Sequence, residues 1–409
     1  MVASARRREL RRQRGCGLAG RHRPSWRCLA LILLPALLLL GVATTGFAWY
    51  TTSRLIAVTH VQDAYPLRIL AVGTRCTTVT LSNGPDAAEP GTFRLAWPVG
   101  HARAGQVVAS GPGFVTRQLS QVSGHLTPGE RAGIEPDPYL GDPLNALGIP
   151  FSSVHVLTPI GGMPAWRIMG NRSTWVILIH GLGGSRSDTL PVMPALHSLG
   201  FPMLAITYRN DIGAPASRDH ESHLGATEWH DVESAVAFAT SHGATGVVLF
   251  AYSLGGAMAA VTAEDSPLRD QVRGLVLDSP ILDWRATLTY QGRGLGLPQP
   301  LIALSEMLLS LRSGLNYAQF DQLQREASLR APVLLIQGGA DKIAPPAVAD
   351  AFAHARPDLV TYMRVPLADH VSAIDVDPAG YASALDRFSR ALPAYPSAGS
   401  PYGSAYIVR

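Results

Sequence analysis

The sequence predicts an α/β protein built on a mostly parallel sheet with helices on both faces. Three observations carry this. From about residue 151 the chain alternates short apolar runs with amphipathic stretches. The central runs are apolar almost without interruption, as strands buried on both faces must be. Several of them end in Gly-rich turns, at the strand ends where an open α/β sheet places its ligands.

At 409 residues and 47% hydrophobic, the chain is long enough for one large core and a smaller module. Residues 1–28 hold nine Arg against one acid, Glu9. The rest carries 25 basic and 29 acidic residues, so the net +4 comes from this basic tail. The charge balance therefore gives no reason to expect a nucleic-acid partner.

Leu29 to Tyr50 follows without a charge and ends in Trp49 and Tyr50. Such a run spans a bilayer core as a helix, with aromatics at the far interface. The Arg cluster then stays cytoplasmic and the remainder is extracytoplasmic, giving a single-pass membrane protein. A cleaved signal peptide is the competing reading, since Gly46-Phe47-Ala48 is a small-x-small site. Beyond the anchor stands one cysteine, Cys76, so no internal disulfide is expected there.

Residues 51–150 read as a small β-rich module, or as an N-terminal extension of the main sheet. The expected strands are Leu67–Val72, Thr77–Leu81, Thr92–Trp97 and Gln106–Ala109, separated by turn signals such as Asn83-Gly84-Pro85. Residues 151–393 form the main domain. Its expected strands are Val154–Leu157, Ala165–Met169, Trp175–Ile179, Met203–Thr207, Gly246–Phe250, Gly274–Leu277, Val333–Gln337 and Leu359–Val365. The expected helices are Leu190–Leu199, Glu228–His242, Gly255–Glu264 and Ala379–Ala391. The segment of about 284–330 is too long for a simple crossover. Leu301, Leu304, Leu308 and Leu311 recur there at helical spacing, which reads as a helical lid or as an ordinary surface insertion. Residues 394–409 read as a flexible tail.

The strongest chemical signal is Val247-Val-Leu-Phe-Ala251-Tyr252-Ser253-Leu254-Gly255-Gly256. A buried strand running into Ser-x-Gly-Gly and then a helix puts the serine on a tight, strained bend with its hydroxyl exposed. The positions two before and two after the serine come close together, so Ala251 and Gly255 must be small. Ser253 is the expected nucleophile; a structural Ser in a tight turn is the alternative. A second apolar strand ends in His180-Gly181-Leu182-Gly183-Gly184. Its backbone can approach a ligand closely, so the N–H groups of Leu182 and Leu254 are the expected oxyanion hole. No Gly-Lys-Ser/Thr follows, which disfavours a phosphate loop.

A base and an orienting acid are expected later in the chain. His370, in Asp369-His370-Val371, and Asp341, in Gly338-Gly-Ala-Asp341, both stand just past a strand end. His370 would shuttle the proton of Ser253, and Asp341 would hold the imidazole tautomer. Asp278 and Asp283 are alternative acids, and Asp369 a weaker one. This chemistry calls for no cofactor and no metal; His220, His223 and His230 read as a polar loop. Arg209, in Tyr208-Arg-Asn-Asp211, is expected to pair with an acid such as Asp211 or Glu228, or to bind substrate.

From Trp175 to about Leu392 these motifs together resemble the α/β-hydrolase superfamily. Within that stretch Tyr208-Arg-Asn-Asp211, Gly225-Ala-Thr-Glu-Trp229, Leu277-Asp-Ser-Pro280 and Leu282-Asp-Trp284 resemble membrane-anchored α/β-hydrolases of actinobacteria. That resemblance implies an eight-stranded sheet, a Ser253–Asp341–His370 triad and esterase- or peptidase-like activity. Ala251 and Tyr252 stand where that group tends to have Gly and Trp. The expectation is hydrolysis of a small-molecule or lipid-like ester, or of a thioester or amide, through an acyl-enzyme. Acyl transfer at the cell envelope, or a catalytically silent binding protein, are the alternatives.

Overall fold

The computed structural model describes residues 26–58, 65–84, 87–88, 92–135, 141–325 and 327–392, with the backbone only at 26–32. The expected tail at 394–409, and the basic segment up to residue 25, lie outside the described residues.

Helix α1 spans Trp26–Ile56 and includes Pro35. It therefore runs one and a half turns past Tyr50, where the apolar stretch ends. Leu33–Ile56 is long and apolar enough to cross a membrane, and Leu33, Leu34 and Leu37 to Leu40 are exposed. Gly46-Phe47-Ala48 lies inside the helix. The extension past Tyr50 is held by tertiary contacts that the hydropathy of the segment does not reveal. Arg312 donates to the hydroxyls of Thr52 (3.2 Å) and Ser53 (2.6 Å) and pairs with Glu221 (3.1 Å). Ile56 is fully buried in the main core, and its carbonyl accepts from the Ser222 N–H.

Residues 67–135 form a closed six-stranded barrel, a module of its own and not an extension of the main sheet. Its strands are β1 (Leu67–Val72), β2 (Thr78–Ser82), β3 (Phe93–Trp97), β4 (Gly100–Gly111), β5 (Phe114–Ser123) and β6 (Arg131–Glu135). The order is β1-β2-β5-β4-β3-β6, and β6 closes on β1 through Leu67 opposite Ala132. Four of these strands were expected; β5 and β6 were not. On β5 the inward positions are Val115, Arg117 and Leu119. A buried Arg at the middle one breaks the apolar alternation that marks a half-buried strand. Arg117 is satisfied inside by the carbonyls of Gly105 and Ala87, and burial lowers its pKa.

After a short helix α2 (Pro143–Leu147), the main sheet uses β7 (Ser152–Thr158), β8 (Gly161–Ile168), β9 (Thr174–Ile179), β10 (Met203–Ile206), β11 (Gly246–Tyr252), β12 (Val272–Asp278), β13 (Val333–Gly338) and β14 (Val360–Val365). The order is β14-β13-β12-β11-β9-β10-β8-β7. The strands from β14 to β10 are parallel to their neighbours, while β8 and β7 join antiparallel at one edge. Helices α3 (Met193–Ser198), α4 (Trp229–Ser241), α5 (Leu254–Asp265), α6 (Trp284–Gly294), α7 (Gln299–Ser313), α8 (Pro346–Ala355), α9 (Ala373–Val376) and α10 (Pro378–Ala391) complete the layers. Two apolar clusters lie on the sheet's opposite faces. Alternate residues of β9 divide between them: Ile177 and Ile179 on one side, Val176 and Leu178 on the other. The sheet is thus covered on both faces, as its unbroken apolar strands require.

The leucine spacing of the 284–330 segment does not by itself say which helix face is buried. The segment is helical, but α7 turns Ile302 and Leu309 inward, at 3% and 1% exposure, and leaves Leu311 74% exposed. Leu311 lies about 180° round the helix from Ile302 at 3.6 residues per turn. Periodicity alone cannot tell which of two apolar faces meets the core, and α7 has two.

Glu264, near the end of α5, is buried beside Arg325 (3.3 Å) and Gln322 (3.4 Å). Burial, only partly offset by Arg325, pushes its carboxyl up to about 7. Between the unfolded value of 4.5 and 7 the folded state keeps a proton that the unfolded state has lost. Stability therefore falls as pH rises through that window, by up to about 3 kcal/mol. Glu264→Gln is expected to melt higher than wild type at pH 8 and nearly alike at pH 4.5. Thermal melts across this range check it, and unchanged pH dependence in the variant refutes it.

Candidate active site

The strand–helix bend is built as the small residues around it require. Ser253 follows β11 directly and caps α5, with φ 51° and ψ −117°. A non-glycine residue in that region costs on the order of 1–3 kcal/mol and persists only where surrounding structure enforces it. A Cβ on Gly255 would lie 2.6 Å from the His180 carbonyl oxygen and 2.8 Å from that of Ile179. Ala251 is fully buried in register with Ile179, so its methyl is accommodated.

Three of the expected residues, 88 and 29 positions apart in sequence, meet at this bend. His370 Nε2 lies 2.9 Å from Ser253 Oγ, and its Nδ1 lies 2.8 Å from Asp341 Oδ2. Asp341 is fully buried, and its other oxygen accepts the N–H groups of Ile343 and Ala344, both at 2.8 Å. Gln337 Nε2 donates to Oδ2 at 3.0 Å. A carboxylate so supplied with donors is held in place beside the imidazole.

The other carboxylates on this rim have separate partners. Asp369 accepts the Lys342 and His370 N–H groups and pairs with the Lys342 ammonium at 3.0 Å. Asp283 caps α6. Asp278 is fully buried and accepts from the Tyr381 hydroxyl (2.8 Å) and the Ser279 hydroxyl (3.1 Å). Burial raises its carboxyl to about 6. Ser279 Oγ in turn accepts the Val371 N–H at 3.0 Å. Ser279 and Val371 both hold positive φ, so this chain of bonds restrains the backbone that carries His370.

The Gly-rich loop approaches the serine closely. A Cβ on Gly181 would sit 3.1 Å from Ser253 Cβ. The Gly181 carbonyl is held from behind by the Tyr208 hydroxyl at 2.7 Å, with His180 Nδ1 at 2.9 Å. In a trans peptide the C=O and the following N–H point in opposite directions. Fixing the Gly181 carbonyl therefore fixes the direction of the Leu182 N–H. Leu254 opens α5, and the first N–H groups of a helix have no partner inside it. His180 is fully buried, stacked on Tyr208 at 4.3 Å, with Nε2 2.8 Å from Asp211 Oδ2. Burial opposes its charged form, but Asp211, Asp188 and the Gly181 carbonyl together raise its pKa.

Arg209 forms a two-armed pair with Asp231, both arms at 2.8 Å. Neither acid named from the sequence is its partner. Asp211 serves His180, and Glu228 accepts the N–H groups of His223, Gly225 and Thr227. Proximity in sequence suggested Asp211 and Glu228, but α4 presents Asp231 instead. His223 pairs with Asp219 at 3.0 Å. The roles of Tyr208 and Asp211 were not read from the sequence; a hydroxyl and a carboxylate just past a strand end were the available signal.

The fold and the rim define a class. Residues 174–299 match the family model described as alpha/beta hydrolase fold, and the main domain has that fold. It is similar to the uncharacterized protein Rv2307c of Mycobacterium tuberculosis, 29% identical over 234 residues, covering 56% of this chain and 74% of that one. Among solved structures it is similar in fold to the Pyrococcus furiosus esterase Pf2001, with a TM-score of 0.50 and 21% identity over 61% of this chain and 94% of the esterase. Residues 68–135, the barrel, match a domain of unknown function (DUF8805).

Proposed function

We propose that this chain is a serine hydrolase that cleaves an ester, or a related thioester or amide, through an acyl-enzyme on Ser253. The observation that carries the reading is the single imidazole, His370, within hydrogen-bond reach of both Ser253 Oγ and Asp341. His370 Nε2 takes the hydroxyl proton as Oγ bonds to the acyl carbon. The carbonyl oxygen becomes an oxyanion facing the N–H groups of Leu182 and Leu254. As the oxyanion collapses, the bond to the leaving group breaks and His370 returns the proton to it. Water repeats the steps, releasing the acid and restoring Ser253. Asp341 stabilises the imidazolium and holds its tautomer. No step needs a metal or cofactor.

The test is release of p-nitrophenolate from p-nitrophenyl esters of graded acyl length by the purified chain. Release above background with a preferred acyl length supports the reading. No release at any length, together with no labelling by a fluorophosphonate, favours a silent binding protein. Release that speeds up with an added alcohol acceptor, with ester formed in place of acid, favours acyl transfer.

Tyr208 is assigned a positioning role through the Gly181 carbonyl. Tyr208→Phe removes one neutral hydrogen bond, worth about 1 kcal/mol. We expect kcat to fall about five- to tenfold with KM nearly unchanged, because an oxyanion donor acts on the transition state. A rise in KM at constant kcat would contradict this role.

We read α1 as a membrane anchor with its N-terminal side cytoplasmic and the catalytic domain extracytoplasmic. The length and composition of Leu33–Ile56, and the nine Arg that precede it, support this.

A further inference from the structure

Helix α7 carries two apolar faces. One, at Ile302 and Leu309, packs into the domain. The other is made of Ala303, Met307 and Leu311, flanked by half-buried Leu304 and Leu308. Met307 is 53% and Leu311 74% exposed. Polar Ser305, Glu306, Ser310 and Arg312 lie between the two faces. A helix at a protein surface ordinarily turns polar residues to water, and an outward apolar stripe requires a partner.

The structure indicates what that partner is. Arg312, the next residue after Leu311, holds the hydroxyls of Thr52 and Ser53 at the end of α1. Tyr50, 61% exposed, lies only three residues before Ser53, about 4.5 Å along the helix axis. If α1 crosses a bilayer with Tyr50 in its interface, the C-terminal end of α7 stands at headgroup depth. We propose that the outward face of α7 docks into the surface of the same lipid bilayer, as an interfacial helix. The proposal rests on the anchor reading of α1.

The docking face is connected to the catalytic rim. Helix α6 packs on α7 where Ile302 meets Gly292; a Cβ there would come within 2.8 Å of the Ile302 side chain. From the same helix, Tyr290 donates to the Asp341 carbonyl at 2.9 Å and Gln291 to that of Ile343 at 3.2 Å. The bilayer thus holds the helix pair that leans on the loop of the orienting acid. This geometry suits an ester that resides in the bilayer.

The test uses the full chain, with Cys16, Cys28 and Cys76 replaced by Ser, in phosphatidylcholine–phosphatidylglycerol vesicles. A nitroxide is placed singly at Leu38→Cys, Met307→Cys, Leu311→Cys or Asp358→Cys. Its accessibility to oxygen and to a water-soluble nickel complex is then measured. The expected result is oxygen preference at 38, 307 and 311, and nickel preference at 358. Labels at 307 and 311 that behave like 358, while 38 prefers oxygen, overturn the docking proposal and leave the anchor intact. Nickel preference at 38 overturns the anchor reading, and the docking proposal with it.

Discussion

Ser253→Ala is expected to lower kcat by about a millionfold and to abolish fluorophosphonate labelling. The scale is that of removing the nucleophile from a serine–histidine unit, whose members act together and not additively. The alanine fits the site, since the surroundings that enforce φ 51° at position 253 do not depend on the hydroxyl. The melting temperature is therefore expected to change little, which separates lost chemistry from lost fold. Labelling that survives in the variant would remove Ser253 as nucleophile.

The second large effect is expected at Asp341, the acid proposed to orient His370. Asp341 Oδ1 accepts two backbone N–H groups, and Oδ2 faces His370 Nδ1 and the Gln337 amide. In Asp341→Asn the amide oxygen must stay with the two backbone donors. Its NH₂ then points at His370, which can answer only by presenting an unprotonated Nδ1. The proton moves to Nε2, which then donates toward Ser253 and can no longer take its proton. A loss of about 10⁴-fold in kcat is expected, the cost of the wrong tautomer. Asp369→Asn and Asp278→Asn leave that tautomer in place and are expected to cost less than about tenfold. Hydrolysis of a single p-nitrophenyl ester by the three variants decides the matter. A larger loss at Asp278 or Asp369 than at Asp341 would assign the acid differently.

Much of this architecture was legible in order along the chain. The buried strands betray themselves because a sheet covered on both faces needs runs of mostly apolar residues, and the middles of β9, β11, β12 and β13 supply them. Strand β5 was hidden because Arg117 turns inward and is satisfied by distant carbonyls, which no local pattern encodes. Helix α8 was passed over, although Pro346 opens it at a position suited to proline.

By itself the sequence determined the α/β class, the bend at Ser253 and the apolar character of α1, because each follows from contiguous residues whose local geometry or burial is dictated by type. Tertiary structure alone decided which carboxylate meets His370, that Tyr208 and His180 brace the Gly181 peptide, and which face of α7 looks outward. Those outcomes depend on distances between residues far apart in the chain. Several carboxylates share one rim, and only the packing of strands and loops brings one of them to 2.8 Å from the imidazole.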